Sequence, residues 1–221
     1  MRAGSPSHER PDAPVLRLAR LNPAALMEEL AQSGALAAPV LSDGCRRSLL
    51  DAARASRFRA ARPLVGTGER VVCQRMEVCG DFPSGSIFRA LTAEFQKLWD
   101  DFLAQVSCNP FEDRLVFNDF MLQRYSVGEV GITPHRDRTG YRNLVCLFIL
   151  EGKGRFYVCD DRSGTGAREI PHAAGDVLLM RAPGFRGATE RPYHFVRDIQ
   201  SPRYVFGLRQ ERSLEAGLAP K

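Results

Sequence analysis

The feature that most restricts the fold is a change of texture near residue 111. Before it, apolar residues recur at three- and four-residue steps; after it, they come in short dense runs separated by turns. Asn22-Pro23 reads as an N-cap followed by proline at the first helical position. The helix it opens runs through Leu26, Leu30 and Ala31 and stops at Gly34. Ser42 opens a second helix with Leu49, Leu50 and Ala53 on one side. A third starts at Ser86, places Ile87, Leu91, Phe95, Leu98, Phe102 and Val106 on one stripe, and is ended by Asn109-Pro110.

Six segments follow that are rich in Val, Phe, Tyr, Ile and Leu: 114–125, 142–150, 155–159, 176–180, 193–199 and 203–209. Turn signals separate them, at 126–128, 152–154, 163–166 and 175–176. Helices first and many short strands afterwards predict an α+β protein whose C-terminal half is a β-sandwich or barrel. The divisions expected are a flexible tail over 1–14, a helical or lid region over 15–110, a β-core over 111–210 and a C-terminal tail over 211–221.

Other readings narrow the setting. The longest strongly apolar run, Leu144 to Leu150, is far too short to span a bilayer. Residues 1–14 are polar and lack the apolar stretch of a signal peptide, so a cytoplasmic protein with no membrane partner is expected. Six cysteines, at 45, 73, 79, 108, 146 and 159, form no C-x-x-C pair and no regular spacing, which argues for reduced thiols and against a zinc site built on them. The net charge of +5 comes almost wholly from arginine. Eight arginines between Cys45 and Arg75, against Asp51 and Glu69 alone, suit either phosphate attraction or the solvated face of a helix.

Histidine is scarce: His8, His135, His172 and His194. In His135-Arg136-Asp137 an imidazole and a carboxylate stand two residues apart, so an extended segment points both to one side, where they can share an ion. Two histidines and a carboxylate on one face of a metal leave its other positions open. The second histidine must come from another strand. His172 precedes a turn, whereas His194 lies within a strand-like run, so His194 is the candidate. By ligand type alone, iron, manganese and cobalt all remain open.

The final run, Arg203-Tyr-Val-Phe-Gly-Leu-Arg209, holds two arginines at even spacing and therefore on one face of a strand. Arginines turned into a β-core need anionic partners, and a dicarboxylate would supply two carboxylates matched to the guanidinium fork.

Taken together these residues resemble the iron(II)/2-oxoglutarate oxygenase superfamily, whose pattern is H-x-D, a distant H, then an Arg on the last strand. Within it the stretch from Phe117-Asn118 through Gln123-Arg-Tyr125 to Gly128, running into His135-Arg-Asp137, is similar to the F-N-x-L-L-x-N-x-Y-x-x-G strand of the AlkB-like nucleic-acid dealkylases. The resemblance implies a double-stranded β-helix (a jelly roll of the cupin kind) over about 111–210, with the N-terminal helices packed against it. It implies iron(II) held by His135, Asp137 and His194, with 2-oxoglutarate and dioxygen as cosubstrates. Arg203 would hold the far carboxylate of 2-oxoglutarate with help from Tyr125; Arg209 and Gln123 would lie near the cosubstrate or its iron-bound end. No side-chain acid or base beyond the metal ligands is implied.

The sequence departs from the AlkB-like pattern in three places. Gln123 replaces the usual Asn, no acidic cluster follows Asp137, and the distance from His194 to Arg203 is nearer that of the hydroxylase branches. Arg181, Arg186 and Arg191, with Gly184 and Gly187, form a basic loop before His194, suited to an anionic substrate or to a solvated lid. Three functions are open: hydroxylation of an anionic small molecule or protein side chain, oxidative dealkylation of nucleic acid, and a catalytically silent barrel that binds a ligand or partner.

Overall fold

The computed structural model describes residues 22–215. Helix α1 (Pro23–Ser33) starts where Asn22 Oδ1 accepts from the backbone N–H groups of Ala24 and Ala25. It ends at Gly34, which takes the left-handed conformation and bonds back to Leu30 O. Helix α2 (Asp43–Ala55) is capped by Ser42, and helix α3 (Ile87–Leu103) by Ser86. Helix α3 stops a turn earlier than the apolar stripe predicts. The Gln105 N–H bonds to Phe102 O at 3.0 Å, a tighter closure than an α-turn, so Val106 lies beyond the helix.

Thirteen strands are present among the described residues: β1 (Ala35–Pro39), β2 (Arg59–Ala60), β3 (Leu64–Val65), β4 (Val72–Cys73), β5 (Glu77–Cys79), β6 (Asp119–Tyr125), β7 (Ile132–His135), β8 (Tyr141–Glu151), β9 (Arg155–Cys159), β10 (Arg168–Glu169), β11 (Asp176–Arg181), β12 (Tyr193–Arg197) and β13 (Arg203–Glu211). A four-residue helical turn, α4 (Arg212–Glu215), follows. A large sheet has the order β1-β11-β8-β13-β6-β5-β2, a small one β10-β9-β12-β7, and β3-β4 is a separate hairpin. From β6 onward the chain alternates between sheets, with β9 and β10 successive in the small one. This is the winding of a double-stranded β-helix, as expected.

The central strands of the large sheet are buried on both faces, and period-two alternation divides their residues. Cys146, Phe148, Phe206 and Leu208 face α2 and α3, where Phe88 meets Phe206 at 4.8 Å and Phe95 meets Phe148 at 5.0 Å between ring centroids. Val145, Leu147, Met180 and Val205 face the small sheet and form a second core with Phe156 and Val196.

Segments before residue 111 are built into the large sheet. Strand β1 forms one edge against β11, and β5 with β2 extends the other from β6. The extended segment predicted over 114–125 becomes a strand only at Asp119. Before it, the side chains of Gln96 and Gln210 take up the backbone groups of residues 114 to 117 in place of a ladder. No described helix is long and apolar enough to cross a membrane.

Candidate metal centre

Strands β7 and β12 are antiparallel neighbours, and their register sets His135 directly opposite His194. The two rings lie 4.3 Å apart between centroids. Asp137, two residues beyond His135, brings Oδ2 to 3.9 Å from His194 Nε2. One ligand atom from each of the three residues lies within 4.8 Å of the others, a spread that a single ion can bridge. His172, the alternative histidine, is not in this group.

The backbone fixes which ring nitrogens point inward. His135 Nδ1 donates to Thr133 O at 2.9 Å and His194 Nδ1 to Pro192 O at 3.1 Å. A carbonyl can only accept, so both Nδ1 atoms carry the proton, and in the neutral ring Nε2 is the nitrogen with the free lone pair. That orientation, held from the second layer, suits a metal ligand. Burial, and then the neighbouring His194, push His135 down to about 4, which keeps its ring neutral over the ordinary pH range. Burial opposes ionisation of Asp137, but His194, His135, Arg209 and Arg191 outweigh it and hold its carboxyl below the usual range. Arg191 also donates to the Asp137 carbonyl, pinning the turn that carries this ligand.

The three residues line a cavity of about 40 Å³ together with Gln123, Tyr125 and Arg209. Val145, Leu147, Phe156, Met180 and Val196 supply apolar walls. The Phe156 ring stacks on His194 at 5.6 Å. The Tyr125 hydroxyl lies 3.4 Å from Gln123 Oε1, within donating range. Arg209 is buried opposite Asp119, whose Oδ2 lies 3.5 Å from Nη1. Burial works against the Arg209 charge, but Tyr141, Asp137 and Asp119 more than offset that.

Arg203 lies on the same face of β13, opposite Tyr125, with its guanidinium carbon 5.5 Å from that ring's centroid. It is 1% exposed and does not line that cavity. No carboxylate among the described residues lies within 4.0 Å of it, and its Nε has no partner. Its polar neighbour is His172. His172 Nδ1 donates to Ile170 O at 2.8 Å, which leaves Nε2 to accept from Arg203 Nη2 at 3.4 Å. Burial lowers the basicity of both groups. A buried guanidinium with a neutral imidazole as its side-chain partner is a receptor for an anion.

The sequence pattern marked His135, Asp137, His194, Arg203, Arg209, Tyr125 and Gln123, and the structure gathers all seven around one barrel interior. It adds three residues that the pattern missed: His172 on Arg203, Asp119 on Arg209 and Arg191 on the Asp137 backbone. Their contacts depend on strand register and loop path. The sequence signals for them were indirect: the even spacing of Asp119 with Gln123 and Tyr125 along one strand, the scarcity of histidine that singled out His172, and the basic loop that holds Arg191.

The basic loop before His194 is tied down. Arg186 pairs with Glu28 at 2.7 Å, and Arg181 Nη1 donates to Ala31 O at 2.9 Å. Six of the eight N-terminal arginines separate likewise. Arg46 bonds to Leu150 O and Arg54 to Glu151, whereas Arg59, Arg62, Arg70 and Arg75 are exposed on or beside the β3–β4 hairpin.

No protein-family model matches the sequence, and no curated protein matches it significantly. Solved structures do match. A prolyl hydroxylase from Trichoplax adhaerens, in complex with a hypoxia inducible factor peptide, superimposes with a TM-score of 0.61 at 14% identity, covering 88% of this chain and 91% of that one. An oxidoreductase of the 2-oxoglutarate/iron(II) oxygenase family from Burkholderia pseudomallei gives 0.61 at 13% identity, covering 87% and 92%. OsALKBH1 gives 0.56 at 14% identity, covering 80% and 98%. The chain shares the fold of the 2-oxoglutarate/iron(II) oxygenases, the AlkB homologues among them.

Proposed function

We propose that this chain is an iron(II)- and 2-oxoglutarate-dependent dioxygenase that hydroxylates a C–H bond of an anionic small molecule or protein side chain. One observation carries the reading: two Nε2 lone pairs and a carboxylate converge beside Arg209, Gln123 and Tyr125, on the barrel face that also holds the uncompensated Arg203. The donor set of two imidazoles and one carboxylate fits iron(II) and leaves positions for a chelating cosubstrate.

Iron(II), 2-oxoglutarate and dioxygen would supply the oxidising chemistry, with succinate and carbon dioxide as coproducts. The chain's own work is positional. His135, Asp137 and His194 would hold the metal, and the Thr133 and Pro192 carbonyls keep both rings in the ligating tautomer. Arg203, with the Tyr125 ring beside it, would receive the far carboxylate of 2-oxoglutarate. Arg209 and Gln123 face the same cavity as the ligands and would meet the cosubstrate nearer the metal. The apolar walls limit water around the reacting centre. No acid or base outside the ligand set is required.

The first experiment is anaerobic addition of iron(II) and 2-oxoglutarate to the purified apoprotein. A visible charge-transfer band from the chelate is expected in wild type and absent in His194→Ala. A wild type that shows no band with both components in excess would overturn the proposal and return the barrel to a binding role.

A second reading, oxidative dealkylation of nucleic acid, is favoured by the β3–β4 hairpin. It carries exposed Leu64, Val65 and Val71 among exposed arginines, and it lies along the metal strand through Arg75 N–H to Gly131 O at 2.7 Å. Salt-sensitive binding of single-stranded DNA, lost when these arginines are neutralised, would select that reading.

A further inference from the structure

Strand β1 is an edge of the large sheet and β10 an edge of the small one. A seam between them is bridged by Arg168 Nη2, which donates to Ser33 O at 2.8 Å. At the metal end of this seam lies a recess of about 380 Å³, separate from the cavity at the metal centre. Its walls include Arg136, Arg168, Arg181 and Arg191, with Tyr193 between them. The recess is adjacent in sequence to every metal ligand. Arg136 stands between His135 and Asp137, Tyr193 precedes His194, and Arg191 is bonded to the Asp137 carbonyl.

Its charge is poorly compensated. Of the two carboxylates in the walls, Asp160 and Glu190, only Glu190 approaches an arginine, reaching Arg136 at 3.8 Å from an exposed position. Arg168, Arg181 and Arg191 have no carboxylate among the described residues within 4.0 Å. Each spends a donor on a backbone carbonyl instead, and Arg181 Nε has no partner. A carbonyl orients a guanidinium without neutralising it. Three such groups directed to one concavity suit an oxyanion, which the guanidinium fork can grip bidentately. The concave shape, in contrast to an open groove, favours a group that is inserted over a strand that is laid across.

We infer that this recess is an anion subsite that holds a phosphate, sulfate or carboxylate group of the substrate beside the metal centre. The role as a substrate subsite rests on the oxygenase reading; the binding of the anion does not.

The test is a titration of the intact apoprotein with inorganic phosphate, followed by calorimetry, with and without saturating 2-oxoglutarate and a redox-inert divalent metal. Phosphate should bind wild type in both conditions, because the recess does not include Arg203 or Arg209. Arg168→Gln should weaken binding by about fivefold or more, the loss of one charge-assisted contact. Glu190→Gln removes an exposed carboxylate and should tighten binding, which gives a second readout that does not depend on tolerance of the arginine change. Neither variant should alter the iron–2-oxoglutarate band. Acetate and sulfate run in parallel identify which oxyanion the recess prefers. The inference fails if wild type binds no phosphate, if both variants bind it as wild type does, or if 2-oxoglutarate displaces it. Absence of the band with phosphate binding intact would overturn the oxygenase reading and leave the subsite standing.

Discussion

A buried guanidinium without a carboxylate is among the less favourable placements available to a side chain, so the groups that tolerate Arg203 define its purpose. His172 is one of them. Its Nδ1 proton is committed to Ile170 O, so Nε2 can only accept, and it orients Arg203 without cancelling the charge. A carboxylate at this position would neutralise the arginine and compete with the cosubstrate. His172→Ala should therefore raise the KM for 2-oxoglutarate by about tenfold or more, the value of one hydrogen bond to a charged group, with kcat nearly unchanged. His172→Gln, whose amide oxygen also accepts, should recover part of the loss; an unchanged KM in His172→Ala would show that the contact carries no weight. The metal ligands make a pH prediction of their own. His135 titrates near 4 in the folded apoprotein and near 6.5 when unfolded. The unfolded chain thus binds the extra proton between those values, and stability declines as pH falls from about 6.5 to about 4; His135 contributes a slope of at most about 1.4 kcal/mol per pH unit, and His172, lowered by burial, adds in the same direction. The depressed carboxyl of Asp137 acts only below its usual range, under that window. Urea midpoints of metal-free protein at pH 7 and pH 5 should show the decline, and a flat profile would contradict it.

Strand β13 carries much of the site, and its alternation explains how. Arg203, Val205, Gly207 and Arg209 face the barrel interior, while Tyr204, Phe206 and Leu208 face the helices. Gly207 leaves room for its neighbour: a Cβ there would stand 2.9 Å from Arg209 Nη2 and 3.1 Å from its Cζ. The obstructing atoms belong to the end of a flexible side chain, so Gly207→Ala should fold with little loss of stability but push the Arg209 guanidinium aside. A weaker iron–2-oxoglutarate band at subsaturating cosubstrate, with a nearly unchanged Tm, is the expected signature. A large fall in Tm would mean that the glycine serves the backbone instead. This strand was legible in the sequence because both arginines and their parity are local facts. So were the three helix starts, each announced by a capping side chain, and the H-x-D pair. Strand β7 was not, since its four residues are all half-buried and show no alternation. Nor were β1, whose Ala-Leu-Ala-Ala reads as helix-forming, and β2 and β5, which are two and three residues long. They are strands because β11 and β6 offer unpaired edges, a tertiary cause that overrides local propensity.

At the scale of the whole molecule, the large sheet separates two jobs. One face packs on α2 and α3 through an aromatic core; the other, with the small sheet, encloses the candidate metal centre. The helices therefore support the site through the sheet, without contributing a metal ligand, and the N-terminal region strengthens it further by adding strands at both edges. Such an arrangement lets stability and chemistry be perturbed separately. Phe206 is fully buried on the helix side, 4.8 Å from Phe88 and 5.4 Å from Phe82 between ring centroids. Its neighbour Val205 is equally buried but faces the barrel. Phe206→Ala should cost about 3–5 kcal/mol, the usual result of truncating a core aromatic. Below its lowered Tm it should still form the iron–2-oxoglutarate band at near wild-type affinity, because β13 keeps its register with β6 and β8 through backbone hydrogen bonds. Denaturant unfolding paired with a titration of the band at low temperature distinguishes the outcomes. If affinity falls in step with stability, the sheet transmits packing changes from the helix face to the metal centre, and the two faces cannot be treated as independent.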